Sequence, residues 1–369
     1  MTDAYDELPP CPFSAPDVYD TIAAAECPVV IYGMGNGAEK LLARFSRRKI
    51  SVAGFFASDD FVRGQSFHGY PVRTYDETCR LYREFLPVLA FASNREEVLS
   101  RLLEIDRATP LLAPDLPVAG EEDFTPDFYR CHYGEIRRAY DLFADEASRR
   151  VYTSVLWYKL TGRLAPLLRY TCEKEEIYNL LKNKSVKCEI DVGAYRGDTV
   201  RESIRYLPGT EVIYAVEPDP KNYRKLELAA KEFSSPRVIA VPAAAGAENG
   251  TTVIHGSGNR NSSLSGASYR HRDTEVPLLR LDTLTDRTVD YIKYDVEGAE
   301  EDALLGSDGV IRRDRPALLV SAYHKSEDLF ALPLMLAEKY PFYRFYLRRT
   351  RSVPAWEIAL IALPADADR

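Results

Sequence analysis

Three stretches in the second half of the chain carry side chains whose types and spacing can do chemistry. The first is E-I-D-V-G-A-Y-R-G-D-T, Glu189 to Thr199. An apolar run enters a turn at Gly193, and Gly197 opens the next helix. Glycine at such points lets backbone approach a ligand where a Cβ would block it. Asp191, at the strand end, can meet an ammonium group, and the turn amides can meet a carboxylate. The cofactor candidates here are Glu189, Asp191, Gly193, Ala194, Tyr195, Gly197, Asp198 and Thr199. Alone, the pattern equally describes a strand-to-helix turn with no ligand.

The second stretch is Glu217-Pro218-Asp219, one helix further on, at the end of the apolar run Val212 to Val216. A carboxylate there accepts both ribose hydroxyls of an adenosine group and repels a 2′-phosphate. The earlier turn departs from G-x-G-x-x-G, the form that cradles a pyrophosphate on a helix N-terminus. The two signals together favour S-adenosylmethionine over a dinucleotide. An acidic or amide side chain beside the adenine would complete the set. Pro242 to Gly246 offers none, so either backbone around Ala244 holds the adenine or the adenine lies elsewhere.

The third stretch is D-Y-I-K-Y-D-V-E-G-A-E, Asp290 to Glu300. Alternate residues of a strand share a face, so Lys293, Asp295 and Glu297 point the same way. Three charges on one face of a central strand are costly unless they pair with one another or face a site. Methyl transfer from a sulfonium to a hydroxyl needs alignment, worth on the order of 7–11 kcal/mol when complete. It also needs a group to take the hydroxyl proton. His324, at the end of a later strand, is the first candidate, since a free imidazole titrates near pH ~6.5. A structural hydrogen-bond role is its competing reading. Asp295, oriented by Lys293, is the second candidate base. Glu297 and Glu300 are expected to face the acceptor, as are Asn261, Ser262 and Ser263 from the polar stretch Thr251 to Arg280. A carboxylate cluster from one segment is thin support for a divalent ion, and no metal is expected.

The elements that must position these residues follow a βα alternation. Strands are expected at Cys188 to Val192, Val212 to Val216, Val238 to Pro242, Tyr291 to Val296 and Ala317 to Ala322. Two further apolar runs, Phe342 to Leu347 and Trp356 to Leu363, leave no room for a helix between them and should pair antiparallel. Five parallel strands and a terminal antiparallel hairpin make the layout of a class I methyltransferase. The motifs quoted, with A-V-E-P-D-P and S-A-Y-H-K-S-E-D-L, resemble the FkbM-type S-adenosylmethionine-dependent methyltransferases from about Glu189 to Leu334. That resemblance implies that Asp191, Gly193 and Glu217 serve the cofactor. It implies that Lys293, Asp295, Glu297 and His324 face an acceptor hydroxyl on a sugar or natural product.

Upstream, Cys27 to Tyr32 runs into G-M-G-N-G-A, with further strands at Ile50 to Ala57 and Leu86 to Ala92. This reads as a smaller Rossmann-like α/β domain, similar to nucleotide-binding domains of sugar-modifying enzymes. Gly33, Gly35, Gly37 and Asp59 form its candidate nucleotide site; packing or dimerisation is the competing role. The expected division is a loosely ordered lead-in at 1–27, this domain at 28–120, a helical connector at 121–184 and the methyltransferase domain at 185–369.

The 369 residues hold 48 Lys plus Arg against 56 Asp plus Glu, a formal charge of -8, which disfavours a nucleic-acid binder. Arg344, Arg348, Arg349 and Arg351 are the one basic cluster, read as a solvated hairpin edge. The acidic N-terminus lacks a signal-peptide core, no apolar stretch is long enough to span a membrane, and six scattered cysteines read as reduced thiols. A cytoplasmic enzyme acting on a small, carbohydrate-type acceptor is the expectation, with homo-oligomerisation left open. The alternative is a nucleotide- or nucleotide-sugar-binding protein with an inactive methyltransferase-like half. A NAD-dependent oxidoreductase built on the first domain lacks a hydride site near Gly33.

Overall fold

The computed structural model describes residues 4–181, 185–254 and 273–365. The first sheet is built from β1 (Val29–Tyr32), β2 (Gly54–Phe56), β3 (Ser66–Phe67), β4 (Tyr70–Arg73) and β5 (Leu86–Leu89), in the order β3-β4-β2-β1-β5. All its pairings are parallel except β3 with β4. Apolar strands buried on both faces give β1 its unbroken V-V-I-Y run. The glycine-rich turn leads into the helix Asn36–Arg48, which presses on the strand beside it. A Cβ on Gly37 would sit 2.1 Å from the carbonyl oxygen of Ala90, so that glycine exists for packing.

From residue 4 onward the lead-in is folded rather than loose. Asp17 caps the short helix Val18–Ala23, and Val18, Tyr19 and Ile22 are buried with the first sheet. The helical segment is likewise more than a connector. Its longest helix, Glu146–Thr161, buries residues all round, as a helix inside a core must. Gly162 ends it in the left-handed conformation, at φ 64°. One buried cluster runs from Tyr32 and Phe56 through Tyr129, Tyr152 and Tyr158 to Ile190, Tyr294 and Leu360. The two sheets therefore share a core.

The second sheet comprises β6 (Cys188–Val192), β7 (Val212–Val216), β8 (Arg237–Val241), β12 (Tyr291–Tyr294), β13 (Ala317–Ser321), β14 (Tyr343–Arg349) and β15 (Ile358–Pro364). The order is β14-β15-β13-β12-β6-β7-β8. The last strand inserts antiparallel between β13 and β14, which is the class I methyltransferase arrangement. The order reverses between β6 and β12, and open α/β sheets bind ligands at such a switch. Between β8 and β12 a small sheet forms from β9 (Ala244–Ala245), β10 (Gly250–Ile254) and β11 (Thr274–Leu279). Asn261, Ser262 and Ser263 lie outside the described residues.

The expected solvated arginine edge is largely interior. Arg349 is fully buried, donating to the carbonyls of Leu167 and Ser352. Arg348 pairs with Asp145 and Glu176. All six cysteines are free thiols. Among the described residues, no helix is long and apolar enough to cross a membrane.

Replacing Gly37 by alanine should lower unfolding stability by about 1–3 kcal/mol, because rigid backbone must yield to the new methyl group. The urea midpoint measures this; an unchanged midpoint would mean that the turn and β5 separate freely.

Candidate functional site

Past the ends of β6, β7, β12 and β13 lies a cleft of about 270 Å³. Of the expected residues it is lined by Gly193, Tyr195, Asp198, Thr199, Glu217, Pro218, Ala244, Asp295, Glu297 and His324. Glu189, Asp191, Ala194, Gly197, Lys293 and Glu300 do not line it.

Each of these six has a structural reason to be elsewhere. Glu189 is wholly buried and accepts a hydrogen bond from Ser203 Oγ at 2.6 Å. Burial pushes its carboxyl up to about 8, so it is a neutral core acid and not a cofactor ligand. Ala194 packs into a core cluster, and Gly197 caps the helix Asp198–Tyr206 in the left-handed region. Asp191 has no exposed surface and accepts a hydrogen bond from Thr199 Oγ1. Glu300 sits behind His324, and Lys293 lies beneath the cleft floor.

The glycine turn also differs from its expected use. Gly193 has φ 85°, and a Cβ there would meet the carbonyl oxygen of Asp295 at 1.9 Å. Its smallness serves the crossing of two chain segments. The amides of Gly193 and Ala194 both donate to the Val216 carbonyl, and that of Tyr195 donates to Glu217 Oε2 at 2.9 Å. They are spoken for, so a ligand carboxylate needs another partner. Lys174, paired with Glu202, is a cation that lines the same cleft. It precedes the motif on the helix Lys174–Leu181, where only the fold reveals its place. Glu202, Glu357 and Trp356 also line the cleft without a motif to mark them, and Tyr323 joins them from S-A-Y-H-K-S-E-D-L, beside His324.

Glu217 is held by two amides, from Tyr195 and from Asp219 at 2.8 Å. Burial, opposed by those hydrogen bonds, raises its carboxyl to about 7. Ala243, Ala244, Ala245 and Ile254 form the adjoining apolar wall, a surface suited to a flat base with no side-chain hydrogen bond.

The charged face of β12 is where register matters. Lys293 stands opposite Asp191 in the parallel β6–β12 pairing. Its ammonium lies 3.6 Å from Asp191 Oδ1 and 3.5 Å from Asp295 Oδ2. Burial disfavours its charge, but the two carboxylates outweigh burial and raise its pKa. Burial also works against the Asp295 charge, yet Lys293, His324 and a hydrogen bond from Ser321 hold that carboxyl below its usual range. The strand ends at Tyr294, short of the expected Val296, and Glu297 reaches the cleft from a left-handed conformation at φ 54°.

His324 is 1% exposed. Its Nδ1 is 2.8 Å from Glu300 Oε1, and its Nε2 is 3.5 Å from Asp295 Oδ1 and 3.9 Å from Glu297 Oε2. Burial pulls its pKa down, and the three carboxylates overcome this and lift it to about 10. The same carboxylates favour its imidazolium form, which has no site to take a proton, and this counts against a general-base role. Glu300, His324 and Asp328 also bring ligand atoms within 4.8 Å of one another. The chain's own amides of Val296 and Lys325 already occupy two of those oxygens.

Residues 191–350 match the model of the methyltransferase FkbM domain. The chain carries an FkbM-type methyltransferase domain. A methyltransferase FkbM from Methylobacillus flagellatus KT has the same fold, at TM-score 0.71 and 21% identity, over 91% of this chain and 90% of that one. An rRNA methylase from Streptococcus thermophilus aligns at TM-score 0.35 and 10% identity, over 51% of this chain and 94% of that one. No curated protein sequence matches.

S-adenosylmethionine is the cofactor of this FkbM domain, and the cleft fits it. Asp198, Glu202, Glu217, Asp295, Glu297 and Glu357 line it against Lys174 and His324. That excess of carboxylates suits a ligand carrying both a sulfonium and an ammonium. The first domain's candidate nucleotide site is divided. Gly35 and Gly37 line a second cavity, whereas Gly33 and Asp59 do not.

Glu217 must be ionised to accept two hydroxyl donors. With its free carboxyl near 7, affinity for S-adenosylhomocysteine should be constant above that pH. Below it, affinity should weaken by up to about tenfold per pH unit. Isothermal titration of wild type and Glu217→Gln tests this. The variant should bind more weakly at pH 8 and show no acid limb; a limb that persists in it would assign the titration elsewhere.

Proposed function

We propose that this chain methylates a hydroxyl of a small carbohydrate or glycosylated acceptor, with Asp295 taking the hydroxyl's proton. The observation that carries this is a single carboxylate held between two buried cations, Lys293 and His324, with 32% of its side chain open to the cleft.

Bound S-adenosylmethionine supplies an electrophilic methyl group on a sulfonium. Glu217 would hold the ribose, the 243–245 wall the adenine, and Lys174 the amino-acid carboxylate. Asp295 would accept a hydrogen bond from the acceptor hydroxyl, turning an oxygen lone pair toward the methyl carbon. A depressed pKa makes Asp295 a weak base toward a resting alcohol. As the new C–O bond forms, however, the oxygen becomes positively charged and its proton strongly acidic, so a weak, fixed base suffices. Lys293 and His324 keep the carboxylate ionised and still. Holding it so costs nothing at the moment of reaction, which is the value of a preorganised site.

A sugar suits the remaining surface. Tyr323 and Trp356 lie with ring centroids 6.5 Å apart and planes 28° from parallel, and both line the cleft beside Asp295 and Glu297. Aromatic faces pack against the C–H face of a sugar ring, while neighbouring carboxylates take its hydroxyls in pairs.

Methyl transfer from labelled cofactor to a panel of simple glycosides tests the reading. Asp295→Asn should lower kcat by about 10²- to 10⁴-fold with little change in S-adenosylhomocysteine affinity. In wild type, kcat should be flat from roughly pH 6 to 8. An acid limb near 6.5 that disappears in His324→Gln would return the base role to the histidine.

A further inference from the structure

The second cavity, about 230 Å³, lies against the first domain and beside the same cleft, for Val118 and Trp356 line both. Its walls are otherwise mostly apolar: Leu89, Phe91, Ala92, Leu116 and Pro354. Among the described lining residues only Lys40 is charged. Its ammonium already donates to the carbonyls of Pro117 at 3.0 Å and Val118 at 3.4 Å. Asp59, the carboxylate that a ribose would need, is absent from the lining. The chemistry of this cavity suits an uncharged apolar group better than a nucleotide.

The wall between the two cavities is built, not incidental. Ser93 and Val353 exchange both backbone hydrogen bonds, at 2.8 and 2.9 Å, tying the loop before β15 to the first domain. Arg351 pairs with Glu96 at 2.7 Å across the same seam. Arg349 holds the loop from beneath through the Ser352 carbonyl. On the opposite side, the amide of Ala119 donates to the His324 carbonyl at 2.9 Å. Both shared residues are therefore fixed between a site for transferring methyl groups and an apolar chamber.

We infer that the first domain contributes an acceptor subsite: the substrate is a glycoside whose apolar, aromatic-type aglycone occupies the second cavity while its sugar hydroxyl lies at Asp295. This rests on the proposed reading of the cleft. Phe91 and Trp356 supply the aromatic surface, and Trp356 serves both halves of the substrate, meeting the sugar on one side and the aglycone on the other.

The test uses the full chain saturated with S-adenosylhomocysteine and 2-naphthol as the aglycone probe, in a Trp157→Phe background so that fluorescence reports Trp356. Naphthol should quench Trp356. Ala92→Phe and, independently, Leu116→Phe should fill the cavity and weaken that binding by at least about tenfold. S-adenosylhomocysteine affinity, unchanged in either variant, shows that the fold and first cavity are intact. Homocysteine-form binding without naphthol binding, or naphthol binding indifferent to both fillings, overturns the subsite alone. Failure of S-adenosylhomocysteine to bind wild type overturns the reading of the cleft, whatever naphthol does.

Discussion

The site depends on one buried cation. Lys293 is 8% exposed, on the central strand of the sheet, where an unpaired ammonium would be too costly to keep. It is kept because parallel register sets it across from Asp191 and because the chain turns immediately afterwards to bring Asp295 within reach. Acidic and basic side chains then follow one another in contact: Asp191, Lys293, Asp295, His324, Glu300. Each member is tolerable only because its neighbours have the opposite sign. Asp295, the member of this series whose carboxylate meets the cleft, is held ionised by the two groups beside it, Lys293 and His324. Removing either would leave a buried charge without its partner, so fold and chemistry are tied to the same residues.

A second constraint is that the methyltransferase sheet does not build its cleft alone. Asn94 and Val118, from the first domain, line it. Ser326 Oγ donates to the Glu122 carbonyl, and a Cβ on Gly298 would meet Ala119 at 2.5 Å. The turn that carries Glu297 is thus pressed against the strap leaving the first domain. A shared core makes the relation rigid. This gives the helical segment its purpose: the buried helix Glu146–Thr161 and the caps at both its ends hold two sheets at a fixed distance from a cleft they both line.

How much of this was legible in the residues depended on whether the signal was local. The strands of the second sheet and its antiparallel ending follow from apolar runs of the right length and from a terminal hairpin with no room for a helix. Glu217 was legible because a carboxylate at a strand end has few other uses. Asp295 and Lys293 were legible as a pair, because three charges alternating on a central strand need an explanation. Lys174 was not, since a lysine at the start of a helix usually faces water and only the fold brings it to the cleft. Glu189 misled for the converse reason: it shares the motif and the strand face with Asp191 but stands two residues further from the strand end, where Ser203 meets it.

His324 shows the sharper limit. A lone histidine after a strand suggests a base because its free pKa lies near neutrality. What decides its role is the set of groups around it, and these come from β12's loop and the helix beyond, not from its own neighbours in the chain. Three carboxylates within 4 Å favour the protonated imidazole, a donor, over the neutral ring that can accept a proton. The glycines make the same point sterically. Gly193 and Gly37 stand in turns whose pattern announces a ligand, yet the atoms a Cβ would strike are carbonyl oxygens of the chain itself. A motif records that space is needed at a position; what fills the space is settled by whichever segment the fold brings alongside.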